Sequence, residues 1–470
     1  MRTYESDTIA AISTAVSESG IGIVRMSGQD AIAIADRIYI GKNQKKLADQ
    51  PSHTIHYGHI ANRGEIIDEV LVMLMKGPHS YTGEDTVEID CHGGIFVVKK
   101  VLETLIYHGA RPAEPGEFTK RAFLNGRMDL SQAEAVIDLI QATNEYALKS
   151  SVSQLKGSVK NKITGIREGI LYHTAFIETA LDDPEHISVD GYGETLKLSL
   201  EPFIEELDRL IASADDGRVI KEGVNTVILG KPNAGKSSLL NALVGEDRAI
   251  VTDIAGTTRD VLEESIRLQG ITLNMMDTAG IRTTEDVIEK IGVEKALRLA
   301  KDADLILYVI DATVPLDRND DEIIRVLKDK PSIIVLNKSD LAVIVGKEDI
   351  ERIYFEGYPA ENEFQIPFVE ISAKTGQGLD DLETILKEMF YHGELSFNTE
   401  IYITNVRHKT ALSEARRSLG HVMESIAEGL PEDFYSIDLM DAYESLGNIT
   451  GETIGEDLIN EIFSKFCMGK

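Results

Sequence analysis

Apolar and polar positions along the chain change rhythm three times, and each change marks a different architecture. From Met1 to about Pro115, short apolar runs alternate with polar segments at Ile21-Gly22-Ile23-Val24, Val70 to Met75 and Val87-Glu88-Ile89-Asp90. With two amphipathic helices beside them, they predict a small α+β domain with a mostly antiparallel sheet. Between Leu130 and Leu181 the strand signals stop. Val152, Leu155, Val159, Ile163, Ile166 and Ile170 recur at spacings of three and four, which predicts one long amphipathic helix. A second helical pattern runs from Leu196 to about Ala214, where Asp215-Asp216-Gly217 reads as its stop. Near Gly223 a βα alternation begins, with apolar runs at Val227 to Leu229, Leu273 to Met276, Leu305 to Ile310, Ile333 to Leu336 and Phe368 to Ile371. A parallel, doubly wound sheet follows from it. After about Tyr391 helical patterning returns until Lys470. The expected chain is therefore multidomain: an α+β domain over 1–118, an all-α domain over 119–222 plus 391–470, and an α/β domain inserted over 223–390.

Composition narrows the class. A chain of 470 residues is too long for one core, and 43% hydrophobic content is ordinary for a globular protein. No apolar run approaches the roughly 20 residues of a membrane span, and MRTYESDTIA lacks a basic-then-apolar leader, so a cytoplasmic location is expected. Cys91 and Cys467 are too few for a disulfide framework or a zinc cluster, which fits a reducing compartment. The formal charge of −31 argues against wholesale electrostatic capture of nucleic acid or anionic membrane. The same acidity is equally a device for solubility or for a salty cytoplasm.

The chemistry concentrates at Gly230-Lys-Pro-Asn-Ala-Gly-Lys-Ser237. A buried strand that turns at Gly230 and enters helix at Gly235 aims backbone N–H groups into one concavity at a helix N-terminus. Lys236 adds a charge for terminal phosphates, and Ser237 sets a hydroxyl where Mg2+ binds, completing G-x-x-x-x-G-K-S. Downstream, Asp277-Thr278-Ala279-Gly280 puts a carboxylate beside Mg2+ and a flexible glycine near a γ-phosphate. Asn337-Lys338-Ser339-Asp340 offers a carboxylate to guanine N1–H and its amino group, a pairing adenine lacks. Ser372-Ala373-Lys374 supplies donors to the base oxygen, and in Gly256-Thr257-Thr258 the hydroxyl of Thr258 is the expected second Mg2+ ligand. Together these motifs resemble the Ras-like guanine-nucleotide domains of translation-factor-related GTPases.

The hydrolytic position departs from that pattern. Where Ras-like switches carry a water-orienting Gln, this chain has Ile281. Positioning and charge must come from elsewhere. Asn233 can hold a cation or brace a turn, and Glu289, read alone, is a solvated helix carboxylate.

Pro115-Gly116-Glu117-Phe118-Thr119, Arg121-Ala-Phe-Leu-Asn-Gly-Arg127, Asp129 to Glu134 and the terminus Phe466-Cys467-Met468-Gly469-Lys470, joined to this nucleotide domain, resemble the tRNA modification GTPase family (MnmE, or TrmE) over nearly the whole chain. The resemblance implies a K+ ion in the place of an arginine finger, with Asn233 as side-chain ligand. It implies a potassium loop over Thr252, Asp253, Ile254, Ala255, Gly256, Thr257 and Thr258, with Thr252, Ile254 and Thr257 as ligands. Nucleotide contacts are then expected at Asn233, Ala234, Gly235, Lys236, Ser237 and Ser238. Glu289 matches the family's catalytic glutamate, which holds water through a second water, and Cys467 a cysteine linked to the modification reaction. The N-terminal domain is implied to be a folate-binding, dimerising domain that takes 5-formyl- or methylenetetrahydrofolate through Arg25, Glu88, Arg127 and Lys470. Carboxylate and guanidinium suit the pterin and the acidic tail. Cys91, ahead of His92-Gly93-Gly94, reads as a small core residue.

From Tyr391 onward the sequence has six Lys/Arg against fourteen Asp/Glu, so a tRNA surface must be local, at Arg407, His408 and Lys409 or at Arg416 and Arg417. The expected activity is a homodimeric, potassium-dependent GTPase. With an FAD-dependent partner of the MnmG (GidA) type in a heterotetramer, it adds aminomethyl or carboxymethylaminomethyl groups to C5 of the wobble uridine of certain tRNAs. The rivals are a ribosome-assembly or signalling GTPase and a folate-dependent transferase with a degenerate regulatory domain.

Overall fold

The computed structural model of the protein describes residues 7–41, 45–188, 191–245, 264–268, 271–276, 303–327, 330–355, 366–390, 401–466 and 469. The chain divides into two compact units, one of Met1–Ile140, Val152–Glu205 and Ala411–Lys470, the other of Gln141–Ser151 and Glu206–Thr410.

The first unit holds a sheet in the order β3-β4-β5-β6-β2-β1-β7. Its strands are β1 (Ile9–Ile12), β2 (Ser19–Ser27), β3 (Tyr39–Gly41), β4 (Thr54–Asn62), β5 (Glu65–Met75), β6 (Thr86–Gly93) and β7 (Arg111–Pro112). All pairings are antiparallel except the short β1–β7 contact. The period-two pattern explains the layering. Val70, Val72 and Leu74 of β5 are buried while Leu71 between them is exposed. The inward set packs with Ile34 and Ile38 of the helix Ala31–Ile38 and Val101 and Leu105 of the helix Ile95–Tyr107. Each fully buried aliphatic side chain contributes about 1.5–3 kcal/mol relative to exposure.

The remainder of the unit is helical. The predicted single helix through Val152 and Ile170 is instead two, Glu145–Leu155, of which 145–151 belong to the second unit, and Ser158–Asp182. Gly157 separates them in the left-handed region at φ +91°, its N–H donating to the Gln154 carbonyl at 2.9 Å. Gln132 Nε2 donates to the freed carbonyl of Leu155 at 2.9 Å. Hydrophobic spacing passes through this break unchanged, so periodicity alone could not show it. Helices Val406–Glu428, Asp433–Thr450 and Glu456–Ser464 complete the chain. In the last of them Phe463 joins a core with Ala122, Leu130 and Phe466.

The second unit carries a sheet in the order β13-β12-β11-β8-β10-β9, from β8 (Val224–Leu229), β9 (Glu264–Leu268), β10 (Ile271–Met275), β11 (Leu305–Asp311), β12 (Ser332–Asn337) and β13 (Phe368–Glu370). Five strands are mutually parallel, as predicted. The edge strand β9 runs antiparallel to β10 and adds a hairpin the sequence reading missed. Its Ser265-Ile266-Arg267-Leu268 alternates polar with buried apolar positions, the mark of an edge strand with one face in the core.

The helix Tyr192–Glu222 does not stop at Gly217. A Cβ there would meet the Ile403 carbonyl oxygen at 2.1 Å and its carbon at 2.7 Å. Gly217 therefore lets the backbone near Ile403 lie against the helix, where Ser213 Oγ accepts the Ile403 N–H at 3.2 Å. It is a packing glycine and not a terminator. Two helical glycines consequently have opposite expectations. Gly165 has open space around its Cβ position, so Gly165→Ala should stabilise by about 1 kcal/mol through helix propensity. Gly217→Ala should destabilise by about 1–3 kcal/mol through backbone overlap. Urea unfolding of the full chain measures both, and a Gly217→Ala protein as stable as Gly165→Ala would refute the packing role.

Candidate functional site

In a parallel sheet every strand delivers its carboxyl end to the same edge, and the predicted motifs at 230–238, 337–340 and 372–374 lie there. β8 ends at Leu229 just before Gly230, β11 at Asp311, β12 at Asn337, and β13 runs into Ile371 and Ser372. Gly230 has φ +149°, and a Cβ on it would meet the Val309 carbonyl oxygen at 2.3 Å, so only glycine lets the loop leave the strand this way. The loop continues through Asn233, left-handed at φ +62°, and Gly235 at φ +97°, into the helix Lys236–Val244.

Lys236 Nζ donates to the carbonyls of Gly230 at 2.6 Å and Lys231 at 2.7 Å. Its ammonium is thus held inside the curve of the loop. Burial pushes its pKa below the usual lysine value. Ser237 and Ser238 occupy the first turn of the helix, Ser237 half-buried and Ser238 exposed. A row of N–H groups, a half-buried ammonium and a hydroxyl at a helix N-terminus is a donor set for phosphate oxygens and a hard divalent cation.

Asn337 joins the loops. Its Nδ2 donates to the Ala234 carbonyl at 2.8 Å and its Oδ1 accepts from the Ala373 N–H at 3.0 Å. A Cβ on Gly235 would lie 2.0 Å from Asn337 Nδ2, which makes that glycine obligatory. Asp340 is exposed, with Oδ1 accepting from the buried Ser372 Oγ at 2.7 Å. Ser339 N–H donates to the Ile371 carbonyl at 3.0 Å. Lys338, left-handed at φ +68°, is ion-paired to Asp311 at 2.5 Å. That partner holds Asp311 below the usual carboxylate range against the opposing effect of burial. Lys374 is exposed beside Ala373. The structure therefore brings Asn233, Ala234, Gly235, Lys236, Ser237, Ser238, Asn337, Lys338, Asp340, Ser372, Ala373 and Lys374 to one edge of one sheet.

Thr252 to Thr258, Asp277 to Gly280, Ile281, Glu289, Cys467 and Lys470 lie outside the described residues.

The first unit gathers a second set. Arg25 on β2 and Glu88 on β6 are direct cross-strand partners, with Nε to Oε1 at 2.7 Å. Arg25 Cζ lies 5.2 Å from the Tyr81 ring and 5.7 Å from the Phe118 ring, and Arg127 Cζ lies 5.0 Å from Tyr81. Tyr81, which sequence reasoning did not single out, thus links both predicted arginines, and its hydroxyl shares a hydrogen bond with Thr119 Oγ1 at 2.9 Å. A lone tyrosine in a loop carries no sequence signal for that role. Arg25 Nη1 also donates to the Gly469 carbonyl at 3.3 Å, as does Ser13 Oγ at 3.1 Å. Gly469, at φ +85°, has a Cβ position 2.3 Å from the Ile12 carbonyl oxygen. Gly469 is thereby held beside β2 and the end of β1.

Beneath this set, the Glu117 carboxylate accepts from Arg111 at 2.6 Å, Arg121 at 3.0 Å and the Glu114 N–H at 2.8 Å. Burial raises its pKa, and these donors more than offset it, so the net shift is downward. The Pro-Gly-Glu-Phe-Thr motif is in this way a folded corner whose glutamate is satisfied internally. Cys91 is buried, with its thiol pushed up to about 11 chiefly by burial, an unreactive core residue as expected. His408 is buried, which removes it from the surface patch proposed with Arg407 and Lys409.

Two family models match: "GTP-binding protein TrmE N-terminus" over residues 8–127 and "MnmE helical domain" over residues 130–467. The chain is 57% identical over 467 residues to the tRNA modification GTPase MnmE of Lachnoclostridium phytofermentans, covering 99% of this chain and 100% of that one. It is 49% identical to the protein of that name from Acetivibrio thermocellus and 48% to that from Carboxydothermus hydrogenoformans, with 99% of this chain covered in each case, and 100% and 99% of those proteins. With both flanking domains and the nucleotide unit matched from end to end, the chain belongs to the tRNA modification GTPase MnmE family.

Proposed function

We propose that the protein hydrolyses GTP with the help of K+ and Mg2+ and, as a homodimer with an FAD-dependent partner of the MnmG type, modifies C5 of the wobble uridine of certain tRNAs. A tetrahydrofolate bound at the N-terminal domain supplies the one-carbon unit. The observation that carries this reading is the pairing, within one family-matched chain, of a phosphate-loop edge with a separate arginine–glutamate–tyrosine cluster. In this reading the domains are 1–118, 119–222 with 391–470, and 223–390.

The donor set at Lys236 and Ser237 suits phosphate and Mg2+. Asn233 stands exposed in the loop where its side-chain oxygen serves a monovalent cation, joined by Thr252, Ile254 and Thr257, with Thr258 on Mg2+. When bound, K+ supplies positive charge to the oxygens of the phosphate undergoing transfer. Asp340 reads the base, and Glu289 orients water in place of the glutamine that Ile281 lacks. Folate would be held by Arg25, Glu88, Arg127 and Lys470, with Cys467 on the same tail. The exposed Ile55, Tyr57 and Leu71 on neighbouring strands of the N-terminal sheet support that face as the dimer contact, since contiguous apolar surface favours association. Among the described residues no helix is long and apolar enough to cross a membrane. A cytoplasmic enzyme fits that and the tRNA substrate.

Nucleoside mass spectrometry of tRNA from cells lacking the protein should show loss of the modified wobble uridine. Normal modification would favour the assembly-factor alternative. GTP turnover should be far higher in KCl than in NaCl, and Glu289→Ala should lose most of it, by about 10²-fold or more for a water-positioning group. Equal rates in the two salts would rule out the potassium role. Asp340→Asn should weaken GTP by about 10²-fold through loss of two charge-assisted hydrogen bonds. The same change should favour xanthosine triphosphate, whose 2-oxo group accepts from the new amide, and competition binding with the two nucleotides measures the exchange.

A further inference from the structure

Lys231, the second residue of the phosphate loop, enters none of the contacts discussed so far through its side chain. Its ammonium reaches Asp317 at 2.7 Å and Asp320 at 2.5 Å. Asp320 is 2% exposed and accepts through Oδ1 from the hydroxyl of Tyr308 at 2.6 Å and through Oδ2 from the Asp317 N–H at 2.8 Å. Tyr308 is itself fully buried in β11, and its phenol is pushed far above its ordinary pKa, first by burial and then by the Asp320 charge. Asp317 and Asp320 form a capping box at the start of the helix Arg318–Val326, so both carboxylates are held by contacts that do not involve Lys231.

The backbone of the same residue is fixed independently, its carbonyl accepting from Lys236 Nζ at 2.7 Å and from the Ala234 N–H at 3.3 Å. Lys231 is therefore gripped at both ends. One end is a buried carboxylate anchored in the neighbouring strand and helix, the other the ammonium meant for phosphate. Pro232 and Asn233 follow directly in the chain.

We propose that Lys231, through its ion pair with Asp320 and the Tyr308 hydroxyl behind it, is a positioning residue that sets the placement of Lys236 and Asn233 for the bound guanine nucleotide. This deepens the GTPase reading and rests on it. A merely structural pair would change stability alone. A positioning pair changes how the loop holds phosphate.

The test uses the full chain with three variants, Lys231→Met, Lys231→Arg and Tyr308→Phe. The readouts are dissociation of a fluorescent GDP analogue, KM and kcat for GTP, and urea unfolding. Loss of a charge-assisted bond predicts about tenfold faster nucleotide release and a comparable rise in KM for Lys231→Met. Lys231→Arg should restore both, because a guanidinium can span the same two carboxylates. Tyr308→Phe, which keeps the ring and the ion pair, should show the same effect at reduced size and covers the case of a Lys231→Met protein that does not fold. Wild-type release and KM in Lys231→Met, or in Tyr308→Phe should the first variant not fold, overturn the proposal whatever the shift in unfolding midpoint. A wild-type protein that binds no guanine nucleotide sinks the GTPase reading itself, and equal wild-type rates in KCl and NaCl sink only its potassium part.

Discussion

Asn337 is the point on which the nucleotide unit turns. One buried amide uses a donor on the phosphate loop at Ala234 and its acceptor on the base-side loop at Ala373, so two segments far apart in sequence share one hydrogen-bonding group. In a site of low dielectric such a doubly satisfied amide is strongly directional, and an unsatisfied one would cost about 1–3 kcal/mol. The parallel sheet makes this possible, because only parallel strands bring the ends of β8, β12 and β13 to one edge. Glycine at 235 follows as a requirement, since the amide occupies the space any side chain would need.

The N-terminal unit solves a different problem, holding arginines in place without neutralising them into a core. Arg25 is paired to Glu88 across the strands but also has the Tyr81 and Phe118 rings close by and the Gly469 carbonyl at one nitrogen. Arg127 shares Tyr81 with it. Ring faces attract a guanidinium without using its donors, so these side chains are oriented while N–H groups stay available to an anionic ligand. Arg111 and Arg121 stand in contrast. Their donors are taken by Asp7, Glu84 and Glu117, which is the pattern of structural arginines. This difference supports Arg25 and Arg127, and not Arg111 and Arg121, as the contacts in the proposed folate site.

Much of this is legible in the amino-acid sequence alone. Period-two and βα patterning located the strands, because burial on one face or on both leaves a direct imprint on residue type. The phosphate loop and Asn337-Lys-Ser-Asp340 were equally plain, since their chemistry needs fixed residues at fixed spacing. What failed was glycine. Gly157 and Gly217 are the same residue in two helical contexts, yet one breaks a helix through its backbone angle and the other admits a neighbouring backbone inside an unbroken one. The deciding atoms, such as the Ile403 carbonyl, lie far off in sequence. Tyr81, Asp311 and Asp320 were missed for the same reason, as their partners come from other elements. His408 was misjudged because a charged-looking run gives no sign of which member faces inward.

The Lys231–Asp320 pair shows why such hidden contacts matter for function and not only for folding. Bringing the buried Asp320 carboxylate and the half-buried Lys231 ammonium out of water costs much of what their attraction returns, so a pair of this kind adds little net stability compared with apolar residues of equal volume. A Met facing a Leu would hold the same elements together. It would not, however, fix where along the contact they sit, since apolar packing tolerates sliding and a carboxylate gripped by Tyr308 and the Asp317 N–H does not. The pair therefore specifies a position more than it supplies energy. That position is handed on through the Lys231 carbonyl to Lys236, where phosphate binding depends on displacements of a fraction of a hydrogen-bond length.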